Sequence, residues 1–246
     1  MIFYDNYQHK GLRKNLLNHL REKGIADETV LEAMNQIPRH LFFGSNTMFY
    51  ETYAYKDEAF DIGEKQTISR PHTVARQSEL LQIKPGEKIL EIGTGSGYQA
   101  TVLMLLKAQV FSIERQKALH DRTAKFLPEI RNFILQDYEA RKAKDVQQIR
   151  SWKTEQEYYP IKTYHGDGFE GRAAQAPFDK IIITAAISEM PKKLFKQLRV
   201  GGKIVLPFGS DRDCEMRRMT KMSETEFEIE HFETFGFVPM LKGTVV

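Results

Sequence analysis

The stretch Lys88-Ile-Leu-Glu-Ile-Gly-Thr-Gly-Ser-Gly-Tyr-Gln-Ala100 constrains the fold more than any other part of the chain. A short apolar run rich in β-branched residues gives way to Gly93, Gly95 and Gly97, then to an apolar helix-forming run over residues 98–106. Strand, tight turn and helix, in that order, form the ligand-binding unit of a doubly wound α/β domain. Alternating glycines weaken a turn unless its backbone needs positive φ or a ligand must come close. The new helix also offers unpaired N–H groups above the turn.

The glycine pattern by itself admits two ligands. From Gly95, Gly-Ser-Gly-Tyr-Gln-Ala fits the G-x-G-x-x-G/A dinucleotide pattern. From Glu91, an acid followed by Gly-x-Gly-x-Gly suits S-adenosylmethionine. A second strand, Ala108-Gln-Val-Phe-Ser-Ile-Glu114, ends in an acid about 20 residues beyond Gly93, where it can accept hydrogen bonds from both ribose hydroxyls of a nucleoside. The alternative role for Glu114 is a carboxylate favoured at a helix start. Asp167, between Gly166 and Gly168 after a third strand at residues 161–165, is placed to reach an adenine amino group.

At 246 residues the chain suits one large α/β domain or two small ones, and 41% hydrophobic with 28% charged residues is ordinary for a globular protein. A net charge of +3 makes no case for nucleic acid. No apolar run approaches the roughly 18 residues of a membrane span. The opening residues lack the basic and apolar regions of an export signal, and Cys214 is the only cysteine, so a cytoplasmic setting is expected. There is no H-E-x-x-H or C-x-x-C, so no metal is assigned, and no G-x-S-x-G elbow.

The remaining chain reads in order. Residues 8–23 form an amphipathic helix through Leu12, Leu16, Leu17 and Leu20, stopped at Gly24, and Asp27 caps a second with Val30, Leu31 and Met34 inward. Residues 38–70, rich in aromatics, read as a long ordered loop. Pro71 starts a helix to Leu81, with Ser69 or Arg70 near its cap. A helix from Arg115 is expected to break at Pro128. The charged stretch 129–159, with Trp152, reads as a solvated helical insertion, or more sharply as a lid or partner surface. His165 reads as a packed or hydrogen-bonded histidine. Residues 181–186 and 203–207 read as buried strands with a helix from Pro191 between them; 216–222 and 227–232 read as an antiparallel pair, with an apolar tail at 236–242 tied down.

Several segments together resemble the protein-L-isoaspartate O-methyltransferase family. They are Gln66-Thr-Ile-Ser-Arg-Pro-His72, Leu90-Glu-Ile-Gly-Thr-Gly-Ser-Gly-Tyr98, Ser112-Ile-Glu-Arg115, His165-Gly-Asp-Gly168, Ala176-Pro-Phe-Asp179 and Gly201-Gly-Lys-Ile-Val-Leu-Pro207, supported by Pro38-Arg-His-Leu-Phe and Phe237-Val-Pro239. The glycine motif is shared by many methyltransferases, whereas the Gln-Thr-Ile-Ser-x-Pro block is specific. Arg70 and His72 depart from the Gln and Tyr of many bacterial members, and 129–159 is longer than expected.

The resemblance implies methyl transfer from S-adenosylmethionine, leaving S-adenosylhomocysteine, to the carboxylate of L-isoaspartyl residues in damaged proteins; D-aspartyl residues are left open. It implies that Ser69 is the active-site serine. It also implies that Glu91, Gly93, Thr94, Gly95, Glu114, Asp167 and Gly168 hold the cofactor, with Thr67 and Ile68 lining the site; Gly97, the last glycine of the turn, is counted with them. The expected architecture is a Rossmann-like methyltransferase sheet, mostly parallel with an antiparallel edge. It forms one domain: a helical cap and active-site loop over 1–70, and a cofactor-binding core over 71–246. A monomer is expected. Three alternatives stay open: a methyltransferase for a small molecule or RNA, a nicotinamide-dependent oxidoreductase, and a binding module without catalysis.

Overall fold

The computed structural model describes residues 3–46, 51–145, 158–210 and 213–246. Seven strands form the main sheet: β3 (Lys88–Ile92), β4 (Gln109–Glu114), β5 (Lys162–His165), β6 (Phe178–Ile183), β7 (Leu198–Ser210), β8 (Asp213–Lys221) and β9 (Phe227–Phe235). Their order is β5-β4-β3-β6-β7-β8-β9; β3 to β7 run parallel, and β8 and β9 are antiparallel. This is the expected mostly parallel sheet with an antiparallel edge. The chain leaves β3 to one side through β4 and β5, then returns on its other side as β6. Strand order reverses there, so the sheet opens a crevice over the carboxyl ends of β3, β4 and β6.

Among the described residues six helices cover the sheet: α1 (Tyr7–Glu22), α2 (Glu28–Asn35), α3 (Pro71–Leu81), α4 (Tyr98–Leu105), α5 (Lys117–Asp145) and α6 (Lys192–Gln197). Local chemistry sets their starts. Asn6 and His9 form a reciprocal capping box on α1. Asp27 Oδ1 accepts the Thr29 and Val30 N–H groups at 2.9 and 3.2 Å to open α2. Alternate residues of each central strand go to opposite layers. Ile89, Val110, Ile182 and Val205 share a core with Leu16, Leu20 and Leu31 of the first two helices. Leu90, Phe111, Ile181 and Ile204 pack with Leu194 of α6 on the other face.

Two stretches differ from the sequence reading. Residues 38–70 contain 3₁₀ turns at Arg39–Asn46 and Tyr53–Tyr55, and a hairpin of β1 (Phe60–Gly63) with β2 (Gln66–Ile68). Glu64 and Lys65 make its turn with φ of 54° and 56°, a conformation usually signalled by Gly or Asn, so no turn signal marked it. The second is the helix after β4, which runs through Pro128 to Asp145 instead of breaking. Proline costs a helix interior one hydrogen bond and a steric clash. Burial of Leu127, Ile130 and Ile134 outweighs that cost, with Phe133 against Phe3 and Arg131 donating to the Tyr158 carbonyl at 2.5 Å. Residues 146–157 of the charged stretch, including Trp152, lie outside the described residues, as do Phe49 and Tyr50. Because Pro128 opposes the helix that packing imposes, Pro128→Ala is expected to raise the unfolding free energy by about 1–3 kcal/mol in urea titrations. A loss of stability would mean that the proline ring is itself a packing element.

Candidate active site

An open crevice, about 850 Å³ with the solvent at its mouth included, lies at the carboxyl edge of the sheet. Residues 93–96 of the glycine turn form one wall, with Tyr98 and Gln99 of α4. Residues 66–69 of the hairpin and serine loop face them, with Val74 of α3. Ile113, Glu114, Arg115 and Gly168 close one end, Thr184 and Ala185 lie beside the turn, and tail residues 238–241 form a third wall.

The turn needs glycine where the backbones are closest. Gly93 has φ of 97°, and a Cβ there would collide with Thr184 Oγ1, which sits 2.9 Å from both the Ile92 and Gly93 carbonyls. Gly168 has no room either, because Ile92 and Met240 occupy the space. The Gly95 N–H donates to Glu114 Oε2 at 2.9 Å, and Gln116 N–H donates to Oε1 at 3.0 Å. Each oxygen keeps one lone-pair direction for a further donor. The acid at the end of β4 is thereby held against the turn.

Of the residues singled out from sequence, Thr67, Ile68, Ser69, Gly93, Thr94, Gly95, Glu114 and Gly168 line the crevice together. Glu91, Gly97 and Asp167 do not. Gly97 packs against Leu127 and Thr123 of α5. Asp167 accepts the Phe169 N–H at 2.8 Å and the Gly243 N–H at 2.7 Å, so its carboxylate tethers the tail to the loop after β5. Glu91 is fully buried beneath the turn and bonds Ser112, whose Oγ lies 2.6 Å from Thr94 Oγ1. Burial pushes its carboxyl up to about 8, against the lowering effect of the Ser112 bond and helped by the Glu114 charge.

Ser69 is half-buried at the crevice wall. It does not cap α3: Arg70 is the N-cap residue, without a side-chain cap bond, and Asp57 Oδ1 accepts the His72 N–H at 2.8 Å instead. Asp57 also pairs with Arg70 and Lys23, at 3.0 and 2.8 Å, so the loop after Ser69 is pinned from outside. Among the described residues the Ser69 hydroxyl makes no hydrogen bond.

The tail runs along the carboxyl edge as a strap. Val238 and Met240 bond the Ala186 main chain at 2.8 Å each, and Val245 bonds Arg115 and Lys117 at 2.9 and 3.0 Å. His165 lies within 3.2 Å of the Arg115 and Val245 carbonyls, the hydrogen-bonded role read from sequence. Phe42, Phe43 and Tyr55 of the aromatic stretch are buried, away from the crevice. Sequence reasoning missed Thr184 and Ala185, although they follow directly from β6 pairing beside β3. Among the described residues no group of His, Cys, Asp and Glu could hold a metal, and no helix is long and apolar enough to cross a membrane.

The Glu91 carboxyl gives this site a pH signature. Between about 4.5 and about 8 the folded protein holds a proton that the unfolded chain has released, so stability falls as pH rises through that window. Glu91→Gln removes this linkage. The stability of the variant relative to the parent is expected to climb from pH 5 to pH 8 in denaturant titrations; a constant difference would place an ionised carboxylate under the turn.

Residues 11–245 match the family described as Protein-L-isoaspartate(D-aspartate) O-methyltransferase. A protein-L-isoaspartate O-methyltransferase of Christiangramia forsetii is 44% identical over 97% of this chain and 98% of its own length. A putative protein-L-isoaspartate O-methyltransferase from Plasmodium falciparum, solved in complex with S-adenosyl-L-homocysteine, superimposes with a TM-score of 0.68 at 23% identity, over 98% of this chain and all of that one. Another solved protein-L-isoaspartate O-methyltransferase gives a TM-score of 0.70 at 23% identity over 92% of this chain, which spans 65% of that protein's length. With the family match and the bacterial relative both covering nearly the whole sequence, this chain belongs to the protein-L-isoaspartate O-methyltransferase family.

Proposed function

We propose that this chain moves a methyl group from S-adenosylmethionine to the free carboxylate of L-isoaspartyl residues in damaged proteins. The observation that carries this reading is the placement of Ser69 across one crevice from the glycine turn, its hydroxyl free of any capping bond. Family membership disfavours a small-molecule or RNA substrate. The single cysteine supports a cytoplasmic setting for the repair.

The crevice lining suits the cofactor in its hydrogen-bonding groups. Glu114, at the end of β4, is placed to accept ribose hydroxyls through the lone pairs that Gly95 and Gln116 leave unused. Gly93 and Gly168, with no room for a side chain, let a ligand lie against main chain. Asp167 acts at one remove, by holding the tail wall in place. When bound, the cofactor supplies an electrophilic methyl carbon on a sulfonium sulfur.

The protein has little acid–base work to do. A free carboxylate with a pKa near 4 is already ionised at neutral pH. One of its oxygens forms the new C–O bond as the S–CH₃ bond breaks, and the positive charge on sulfur and the negative charge on the carboxylate vanish together. What remains is alignment at about 3–3.5 Å with water kept out. The Ser69 hydroxyl donates to one carboxylate oxygen and leaves the other to react. The methyl ester then closes to a succinimide without the enzyme, releasing methanol, and reopens in part to ordinary aspartate.

Ser69→Ala is expected to lower kcat by about 10–100-fold, the worth of a hydrogen bond to a charged group, and to leave the calorimetric Kd for S-adenosylhomocysteine within about twofold. An unchanged kcat would remove Ser69 from the reaction. With labelled cofactor, an isoaspartyl peptide is expected to accept methyl groups while its aspartyl twin does not. Equal labelling of the pair would overturn the substrate assignment.

A further inference from the structure

Arg39 opens the first 3₁₀ turn and is 1% exposed, yet among the described residues no carboxylate pairs with it. A buried cation without an anion needs full hydrogen bonding or polarisable neighbours. Arg39 has both. Nη1 donates to the Ala54 carbonyl, and Nη2 donates to the carbonyls of Glu58 at 3.2 Å and Ser69 at 3.1 Å. The rings of Phe43, Phe60 and Tyr98 lie 5.5, 5.7 and 5.6 Å from the guanidinium carbon. Burial lowers its pKa only to about 10, so it remains a cation at neutral pH.

These contacts reach both walls of the crevice. Ser69 belongs to the serine loop, and Tyr98 is the first residue of α4, directly after the glycine turn. One rigid, planar side chain therefore touches the residue proposed to orient the acceptor and the element expected to hold the donor. Transfer over about 3–3.5 Å tolerates little error, and a displacement of about 1 Å can cost about a hundredfold in rate. We infer that Arg39 is a positioning residue for methyl transfer, fixing the spacing between Ser69 and the glycine turn through its grip on the Ser69 carbonyl and its cation–π contact with Tyr98. This rests on the reading of Ser69 given above.

A brace that merely stabilised the N-terminal cap would lower the melting temperature and leave the turnover of folded molecules unchanged. A positioning role separates kcat from binding. The test uses full-length Arg39→Lys, Arg39→Met and Arg39→Ala beside Ser69→Ala, assayed with an isoaspartyl peptide and with S-adenosylhomocysteine calorimetry. Arg39→Met is expected to lose about a hundredfold in kcat, with peptide KM and ligand Kd within about threefold of the parent. Arg39→Lys, which keeps the charge but not the fork, is expected to lose about tenfold. Methylguanidinium added to Arg39→Ala is expected to restore kcat at least tenfold. In folded variants, hydrogen exchange over residues 66–72 is expected to quicken.

Parent-like kcat in a folded Arg39→Lys or Arg39→Met, or a folded Arg39→Ala that methylguanidinium does not restore, overturns the inference. If the Met and Ala variants do not fold, the Lys variant decides alone: a tenfold loss of kcat at unchanged Kd sustains the inference, and a loss under twofold ends it. Should Ser69→Ala keep full kcat, the reading of Ser69 has failed, whatever Arg39 does. Should Ser69→Ala lose kcat while the Arg39 variants keep it, only the present inference has failed.

Discussion

Thr184 Oγ1 fills the volume that a Cβ on Gly93 would need, and that contact sets how closely β6 approaches the turn after β3. The two strands are neighbours at the point where strand order reverses, so their carboxyl ends diverge above the contact and leave the crevice. Glu114 can reach the Gly95 amide only because the turn stays flat against the sheet. The serine loop, the acid of β4 and the tail are all placed relative to this point. A side chain at Gly93 would displace Thr184 and with it the β6 side of the crevice.

Two buried ionisable groups flank the crevice, and the fold handles them in opposite ways. Glu91 sits beneath the turn with one oxygen bonded to Ser112 and the other without a partner among the described residues, and burial favours its neutral form. Arg39 is buried as deeply, but three carbonyls and three aromatic faces let it keep its charge. A carboxyl can shed its charge by taking up a proton at neutral pH, whereas a guanidinium cannot, so the chain must supply acceptors for it. That asymmetry fits the gathering of Phe43, Phe60 and Tyr98 around Arg39.

Much of this architecture was legible because local signals and tertiary packing agree. Apolar strands ending in glycine or an acid, Asp27 before an amphipathic run and Pro71 at a helix start each carry their own physical reason, and the sheet follows from their alternation. The hairpin at 60–68 was hidden because Glu64 and Lys65 adopt a left-handed turn that neither residue advertises. The continuous α5 was hidden because the gain from burying Ile130 and Ile134 is a tertiary effect, while the proline penalty is local. At the site, residues on the glycine turn and the serine block could be found from motif spacing. Thr184 could not, since its nearness depends on strand order. Glu91 and Asp167 belong to the same motifs, yet their side chains point into the support beneath and behind the crevice.

The way the tail is held has a consequence for how such a crevice can diversify. Its anchors are main-chain groups of Ala186, Arg115, Lys117, Val238, Met240 and Val245, with Asp167 gripping the Gly243 amide. None depends on the identity of the side chains at 238 or 241, which line the crevice, whereas Met240 also packs on the Ile92 core and the Gly168 backbone. Mutation can therefore resculpt one wall, larger or smaller, greasier or more polar, while the strap remains docked and the sheet below is undisturbed. Neutral drift along this one segment gives the lineage a route to new acceptor preferences that leaves the donor half of the crevice as it was.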